Sequence, residues 1–208
     1  MNGFKDKDYF IGWTVVTMKG YFLQEQRQDF YLIQLFHSQV VSYYIFIKNI
    51  FIMAIAVGTK APAFTLFNTE RKQVSLSDFA GKTLVINFFP AAFTSVCTAQ
   101  MCSSRDELSF YNDLGATVIG ISVDMPFSLG AFKEKNKINF ELLSDAGKRT
   151  IHEYEMYHCN FICDIKGVAK RGVIVIDKSG IVAYAEETAT PGVQVNFPAL
   201  KEALQKLK

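Results

Sequence analysis

Two apolar runs separated by an amphipathic stretch restrict the fold of this chain more than any other feature. Residues 84–89 are apolar apart from Asn87 and show no alternation, which predicts a strand buried on both faces. Pro90 ends this strand, because proline cannot donate to a central ladder. Residues 95–112 predict a helix, and residues 116–124 predict a second buried strand. Together they form a β-α-β unit, which indicates an α/β layer fold.

Further strand and helix signals surround this unit. Residues 64–76 predict a hairpin around a polar turn, and residues 172–187 predict another around Lys178-Ser179-Gly180. A short helix near residues 128–136 and a strand near residues 140–143 precede a loop-rich passage that reaches residue 167. Residues 197–207 predict a terminal amphipathic helix. We therefore expect a central mixed sheet with helices on both faces.

The first 52 residues differ in composition from the rest of the chain. They hold 13 Phe, Tyr and Trp residues, against 16 in residues 53–208, and they contain no proline or cysteine. They also show no sustained period of 2 or 3.6. We predict one domain at residues 53–208 and an N-terminal extension at residues 1–52 that is not structured or not translated, with translation starting at Met53. A membrane anchor is an alternative, but polar residues interrupt the longest uncharged stretch, residues 30–47, and a cleaved signal peptide fits less well.

Charge and cysteine content exclude several classes of protein. The formal net charge is +2, from 22 basic and 20 acidic residues without a basic run, so neither nucleic acid nor a membrane is an expected partner. Four cysteines are too few for a small domain held together by disulfides, and no secretory signal opens the sequence. We therefore expect a cytoplasmic protein whose cysteines are reactive or buried thiols.

Cys97 falls in the first turn of the helix that follows the buried strand. At such a place, unpaired backbone N–H groups and the positive end of the helix dipole favour a thiolate over a thiol. The alternative is a small buried side chain without a chemical role, which is common for free cysteine. Two more residues favour a reactive thiol. Thr94 can turn its hydroxyl toward the helix start, and Arg171 opens a buried strand that can carry its guanidinium there.

The spacing Pro-x-x-x-Thr-x-x-Cys from Pro90 to Cys97, with a later arginine entering a strand, resembles the peroxiredoxin family. Segments 58–66 and 170–177 are also similar to that family, and the resemblance spans about residues 53–208. It implies a thioredoxin fold and a thiol-dependent peroxidase that needs no metal or organic cofactor.

The resemblance gives four residues a role. Cys97 is the implied peroxidatic nucleophile, and Thr94 would orient the peroxide. Arg171 would bind the peroxide oxygens and stabilise the thiolate, while Pro90 would shield the pocket. The implied substrates are hydrogen peroxide and organic hydroperoxides, and the implied product on the enzyme is a cysteine sulfenic acid. The implied partner is thioredoxin or a similar thiol donor, and we expect a monomer or homodimer.

Cys102 is the first candidate for the thiol that resolves this sulfenic acid. The Cys-x4-Cys arrangement resembles the bacterioferritin comigratory protein or peroxiredoxin Q branch, in which the second cysteine attacks after the helix unwinds locally. In an intact helix Cys102 lies about 140° around the axis and about 7.5 Å along it from Cys97, so the two sulfurs diverge. The alternative is that Cys102 is buried and an external thiol reduces Cys97. A related branch that this chain also resembles, the alkyl hydroperoxide reductase E type, has a single cysteine.

Two further cysteines and two histidines precede the arginine strand. Cys159 and Cys163 lie in the run His-Cys-Asn-Phe-Ile-Cys and are less favoured as the resolving thiol. With the first two cysteines and His158 they raise the alternative of a zinc site, which the x4 and x3 spacings do not favour. His152 and His158 are expected in loops, without a catalytic role.

Other functions stay open as alternatives. A thioredoxin-like disulfide oxidoreductase is the alternative enzyme, although the chain has no Cys-x-x-Cys. A redox-sensing partner protein or a zinc-binding module is the non-enzymatic alternative.

Overall fold

The structure is a computed structural model that describes residues 55–208, and the predictions for residues 1–52 lie outside them. Within the described residues there are nine strands: β1 (Thr65–Asn68), β2 (Gln73–Ser75), β3 (Thr83–Phe88), β4 (Ala116–Ser122), β5 (Glu141–Ser144), β6 (Tyr157–His158), β7 (Val168–Ala169), β8 (Gly172–Ile176) and β9 (Val182–Glu187). The α-helices of this part are α1 (Ser95–Asp106), α2 (Leu108–Asp113), α3 (Pro126–Lys135), α4 (Arg149–Glu153) and α5 (Phe197–Gln205). Short 3-10 helices form at Leu76–Phe79 and Ile162–Asp164.

Seven strands form one mixed sheet in the order β2-β1-β5-β4-β3-β8-β9. The central strands β3, β4 and β5 run parallel, and the strands on both sides of them pair in antiparallel fashion. Strands β6 and β7 form a separate two-stranded sheet. The predicted β-α-β unit and both predicted hairpins are therefore present.

Strand β3 is at the centre of the sheet and is buried along its whole length. Leu84, Ile86 and Phe88 face the core on one side of the sheet, while Val85 and Phe89 face the core on the other. Because both faces are covered, the strand needs apolar residues at successive positions, which explains the run without alternation.

Helices cover both faces of the sheet, as predicted. Side chains of α1, α2, α3 and α5 pack with Val85 and Val173 on one face, and this core includes Cys97. Ile151 of α4 packs with Phe88 on the opposite face. None of the helices within residues 55–208 combines the length and the apolarity needed to cross a bilayer.

Three details of the predicted secondary structure are wrong. The helix expected at residues 95–112 divides at Glu107, whose backbone (φ −99°, ψ 10°) leaves the helical region and whose carboxylate pairs with Lys201 of α5 at 2.7 Å. The strand expected to reach residue 124 ends at Ser122, and the Asp124 amide donates to the Ser122 hydroxyl at 3.1 Å instead of extending the ladder. The passage expected to be loop-rich up to residue 167 contains α4 and β6, elements too short to give a periodic signal.

Candidate active site

Cys97 lies where the central strand β3 passes into α1. The Phe89 amide still donates to Ile121 of β4 at 3.2 Å, and Pro90 then turns the chain out of the sheet. Pro90 is buried, and its role in shielding the site stays a prediction. Thr94 is the N-cap of α1, and Cys97 in its first turn is fully buried (0% exposed).

The start of α1 presents unpaired amides next to this thiol. The first backbone bond of the helix runs from the Thr98 amide to the Thr94 carbonyl at 2.9 Å, and no side chain within residues 55–208 makes a capping bond there. Helix geometry therefore leaves the amides of Ser95, Val96 and Cys97 without an intrahelical acceptor. These amides and the helix dipole favour negative charge on the Cys97 sulfur.

Arg171 reaches the same point from strand β8. The antiparallel register sets Gly172 opposite Phe88, so the residue before Gly172 lies at the end of β3 where α1 begins. The Arg171 Nη2 donates to Cys97 Sγ at 3.3 Å, and the arginine is only 2% exposed. The structure thus brings together the cysteine and the arginine that the sequence suggested.

The guanidinium of Arg171 is held on two more sides. Its Nη1 donates to the Gln100 side chain at 2.7 Å, and its Nε and Nη2 donate to the Pro191 carbonyl at 3.0 and 2.8 Å. Gln100 is fully buried, with Nε2 3.4 Å from the oxygens Asn87 Oδ1 and Phe88 O. These acceptors are neutral, and none of the ion pairs within residues 55–208 involves Arg171. The arginine therefore keeps its positive charge for the sulfur and for a bound anion.

The loop between β3 and α1 is fixed by two side chains. The Thr94 hydroxyl donates to the Ala91 carbonyl at 2.9 Å, which leaves its oxygen able to accept from another donor. Asp124 accepts from the Ala92 amide and from the Ser122 hydroxyl, each at 2.8 Å. Thr94 lies at the N-cap of α1, three residues before Cys97, and its predicted role toward peroxide stays a prediction.

The ring of Phe93 lies on the outer side of this loop. Phe93 adopts a left-handed backbone (φ 64°) and is half exposed. Its ring meets Phe132 of α3 edge-on, with 5.3 Å between the ring centres. Because this backbone conformation is unfavourable for a bulky residue, the contact with Phe132 and the Asp124 bond together hold the loop in place.

This arrangement suits a nucleophilic reaction with a small polar molecule. A soft sulfur nucleophile lies next to backbone donors and a positively charged fork, which can stabilise negative charge on a leaving oxygen. Among residues 55–208, no three His, Cys, Asp or Glu side chains come together as metal ligands, and the predicted alternative of a zinc site finds no support in this part of the chain.

The remaining cysteines occupy different environments. Cys102 lies on the same continuous helix as Cys97, is half-buried, and packs against the core that contains Cys97. Cys159 and Cys163 are exposed in the segment that links β6 and β7. All four thiols are free. The choice of the resolving thiol stays a prediction.

The predicted location of both histidines is wrong. His152 lies in α4 and stacks on Tyr157, with ring centres 3.9 Å apart, and His158 belongs to β6. Neither has a bond to Cys97 or Arg171 among the described residues.

Sequence reasoning missed Gln100, Pro191 and Gln194 as neighbours of the site. The sequence could have indicated Gln100, because a polar residue three positions after Cys97 lies on the same buried face of the helix. The other two lie in a segment without periodicity, and nothing local indicates that it covers the start of α1.

Comparison with known proteins agrees with this geometry. The family model described as the AhpC/TSA family matches residues 57–185. The chain belongs to the AhpC/TSA family. Its predicted kinship with peroxiredoxins is therefore confirmed.

Individual relatives are peroxiredoxins. A Haemophilus influenzae protein named as a peroxiredoxin of the bcp type is 47% identical over 103 residues, which cover 50% of this chain and 66% of that protein. The chloroplastic peroxiredoxin Q of Oryza sativa subsp. japonica is 40% identical over 131 residues, which cover 62% of this chain and 58% of that protein. These relatives support the predicted thiol-dependent peroxidase. Since the match spans 66% and 58% of the lengths of these two relatives, their substrates and partners are only proposals for this chain.

A solved structure confirms the fold class of this AhpC/TSA protein. The crystal structure of peroxidoxin BcpB from Mycobacterium tuberculosis superposes with a TM-score of 0.65 and covers 73% of this chain and 97% of its own. At 23% identity, this likeness shows the mixed sheet of the thioredoxin type and nothing about substrates.

Proposed function

We propose that this AhpC/TSA protein is a thiol-dependent peroxidase in which Cys97 reduces hydrogen peroxide and small organic hydroperoxides. The observation that carries the proposal is the 3.3 Å hydrogen bond from Arg171 to a cysteine in the first turn of a helix. The three amides at the helix start and the guanidinium stabilise the thiolate, which is the reactive form of cysteine.

The chemical step is a displacement at oxygen. The Cys97 thiolate attacks one peroxide oxygen, an S–O bond forms as the O–O bond breaks, and the second oxygen leaves as water or alcohol after taking a proton. We expect the Arg171 guanidinium and the helix amides to stabilise the negative charge that develops on the leaving oxygen. Thr94, whose hydroxyl donates to Ala91, accepts the hydrogen of the peroxide O–H and so orients the molecule. Cys97 is left as a sulfenic acid.

A second thiol then closes the cycle. The Cys102 thiolate attacks the Cys97 sulfur, a disulfide forms, and the sulfenic oxygen leaves as water. Because both residues lie on α1, the helix has to unwind around them before the sulfurs meet. A dithiol donor of the thioredoxin kind then reduces this disulfide by thiol exchange.

Location and oligomeric state are further parts of the proposal. We place the protein in the cytoplasm, because it has few cysteines and its mechanism needs thiols to be reduced again. We also infer a monomer or homodimer. Cell fractionation with an antibody to the chain tests the location, and sedimentation of the reduced protein tests the assembly.

Mass spectrometry of the intact protein tests the central step. Equimolar peroxide should add about 16 Da as a sulfenic acid, which dimedone traps on Cys97, and the mass should then fall to about 2 Da below the reduced protein as a disulfide forms. Cys97→Ser should abolish both changes and peroxide consumption, whereas the matched variant Cys159→Ser should keep them. Unaltered peroxide consumption by Cys97→Ser would overturn the proposal.

A further inference from the structure

The segment between β9 and α5, residues 188–196, crosses the start of α1, and we refer to it as the strap. The Thr188 amide at one end donates to the Arg171 carbonyl at 2.9 Å. At the other end, the Asn196 amide donates to the Glu186 carboxylate at 2.8 Å, and Val195 is buried in the core that contains Cys97. Both ends of the strap are therefore fixed to the protein.

Two bonds connect the middle of the strap to the active site. The Pro191 carbonyl accepts two hydrogen bonds from Arg171. Three residues further on, Gln194 Nε2 donates to the Val96 carbonyl at 2.9 Å, across 98 positions of sequence. Val96 immediately precedes Cys97, so the second bond holds the backbone of the helix turn that carries the nucleophile.

Only one of the two polar atoms of the Gln194 side chain has a hydrogen-bond partner among residues 55–208. Among residues 55–208, no group donates to the buried Oε1 atom of Gln194. A buried acceptor without a donor has a cost in free energy that offsets part of the gain from the Nε2 bond. The side-chain amide of Gln194 therefore stabilises the helix start less than a fully hydrogen-bonded amide would.

Release is required by the second half of the proposed cycle. Cys97 and Cys102 are on one continuous helix and their sulfurs diverge there, so a disulfide needs the first turn of α1 to unwind. Unwinding that moves Cys97 also displaces Val96 and breaks its bond to Gln194.

We propose that Gln194 is a positioning residue whose side-chain amide holds the first turn of α1 folded around Cys97 and must let go of Val96 before Cys97 can reach Cys102. This inference rests on the proposed function. With the bond in place, Cys97 lies beside Arg171 as the attack on peroxide requires. With the bond broken, Cys97 is free to react with Cys102, whose thiol forms the S–S bond while the sulfenic oxygen leaves as water. Gln194 thereby sets how long the sulfenic acid persists.

Two substitutions in the full chain test this role. Gln194→Met keeps the length of the side chain without its amide, and Gln194→Ala removes the side chain. After equimolar hydrogen peroxide, we expect disulfide formation to become on the order of 3- to 10-fold faster relative to sulfenic acid formation, the factor that one lost hydrogen bond represents. The neighbouring variant Val193→Ala, at a position that is 51% exposed, should leave this ratio unchanged.

Amide hydrogen exchange in the reduced protein provides a second measurement that does not depend on peroxide chemistry. Amides of residues 98–102 should exchange faster in both Gln194 variants than in the parent and in Val193→Ala. Unchanged exchange in this segment would overturn the role of Gln194, as would an unchanged or lowered ratio of rates. If Cys97 of the parent forms no sulfenic acid, the proposed function fails, and the exchange experiment still decides whether Gln194 holds the helix.

Discussion

Nη2 of Arg171 donates to Sγ of Cys97 across 3.3 Å, although 74 positions of sequence separate the two residues. The contact depends on the antiparallel pairing of β8 with β3, which sets Gly172 opposite Phe88 at the end of the central strand. The neutral acceptors around the guanidinium leave its charge available to the sulfur. Several consequences can be measured.

Replacing the arginine by lysine should reduce catalysis strongly. A lysine ammonium has no planar fork and cannot reproduce the bonds of Arg171 to Cys97, Gln100 and Pro191 in one geometry. We expect kcat/KM for hydrogen peroxide to fall about 100-fold in Arg171→Lys, with slower alkylation of Cys97 by iodoacetamide at pH 7. Lys170→Ala, which removes only a partly exposed ion pair with Glu187, is the matched control. A change of less than about threefold in Arg171→Lys would contradict a direct role.

Gln100 should matter through the arginine that it holds. Gln100→Leu removes the acceptor of Arg171 Nη1 and leaves a buried guanidinium N–H without a partner, which should lower the free energy of unfolding by about 1–3 kcal/mol. We also expect peroxidase activity to fall, on the order of tenfold, because the fork is free to turn away from Cys97. Urea unfolding and peroxide kinetics check the two effects, and a Gln100→Leu variant with unchanged stability and unchanged activity would disagree with this role.

Cys102→Ser should separate the two halves of the cycle. The variant should still form the sulfenic acid on Cys97, but the adduct should persist and no intramolecular disulfide should appear in non-reducing mass spectra. Cys159→Ser and Cys163→Ser should form the disulfide as the parent does. A disulfide in Cys102→Ser would assign resolution to another thiol.

The buried carboxyl of Asp145 should give a pH-dependent stability. Asp145 is 2% exposed and accepts from the Ile151 amide at 2.8 Å. Burial raises its pKa above the ordinary value near 3.8, and bonds from the amides of α4 oppose this shift only in part. The folded protein therefore binds the proton more tightly than the unfolded chain does. The resulting stabilisation is complete below the ordinary pKa and is lost as pH rises through the raised one.

The isosteric variant Asp145→Asn removes this titration. Urea unfolding between pH 3.5 and 7 should show the parent losing free energy of unfolding relative to Asp145→Asn as pH rises, with a constant difference near neutral pH. A difference that grows in favour of the parent over the same range would have the wrong sign.

Gly172 should tolerate no side chain. A Cβ at this position would overlap the backbone oxygen of Glu186 in the paired strand β9, and it would lie 2.8 Å from Met156 Cε. Because β8 pairs with a strand on each side and cannot shift freely, Gly172→Ala should lower the free energy of unfolding by about 1–3 kcal/mol in urea titrations. The matched control is Gly147→Ala, where a Cβ would have no atom of residues 55–208 within 4 Å. Equal free energies of unfolding in the two variants would contradict the prediction and show that β9 can move away from the added methyl group at little cost.

The sequence predicted the main elements and the pairing of cysteine with arginine for clear physical reasons. A strand buried on both faces has no polar alternation, and a proline marks its end, so β3 and the start of α1 are visible as patterns of residues 84–97. Arg171 is visible because it opens the apolar run of β8. The comparisons confirm the family and fold that these residues suggested, and they leave the roles of individual site residues to experiment.

The surroundings of the site could not be predicted in the same way. The strap has neither helical nor strand periodicity, and its contacts with Arg171 and Val96 join parts of the chain that are far apart in sequence. Likewise, nothing near Glu107 in the sequence announces the break in the helix, because its partner Lys201 lies in α5. A hydrogen bond or ion pair between two groups far apart in sequence leaves no recognisable pattern in the residues around either group.

The register between β3 and β8 has a consequence for how this protein can vary. Successive side chains of a strand point to opposite sides of the sheet, so a slip of one residue would turn position 171 away from the thiol and bring a neighbour in its place. Insertions in the turn at Asp177–Gly180 leave that alignment intact, whereas one added residue within β8 destroys it. The contact between Arg171 and Cys97 is therefore kept only while the same residues of β8 and β3 remain paired. Natural or engineered insertions and deletions should be confined to places that leave this pairing unchanged.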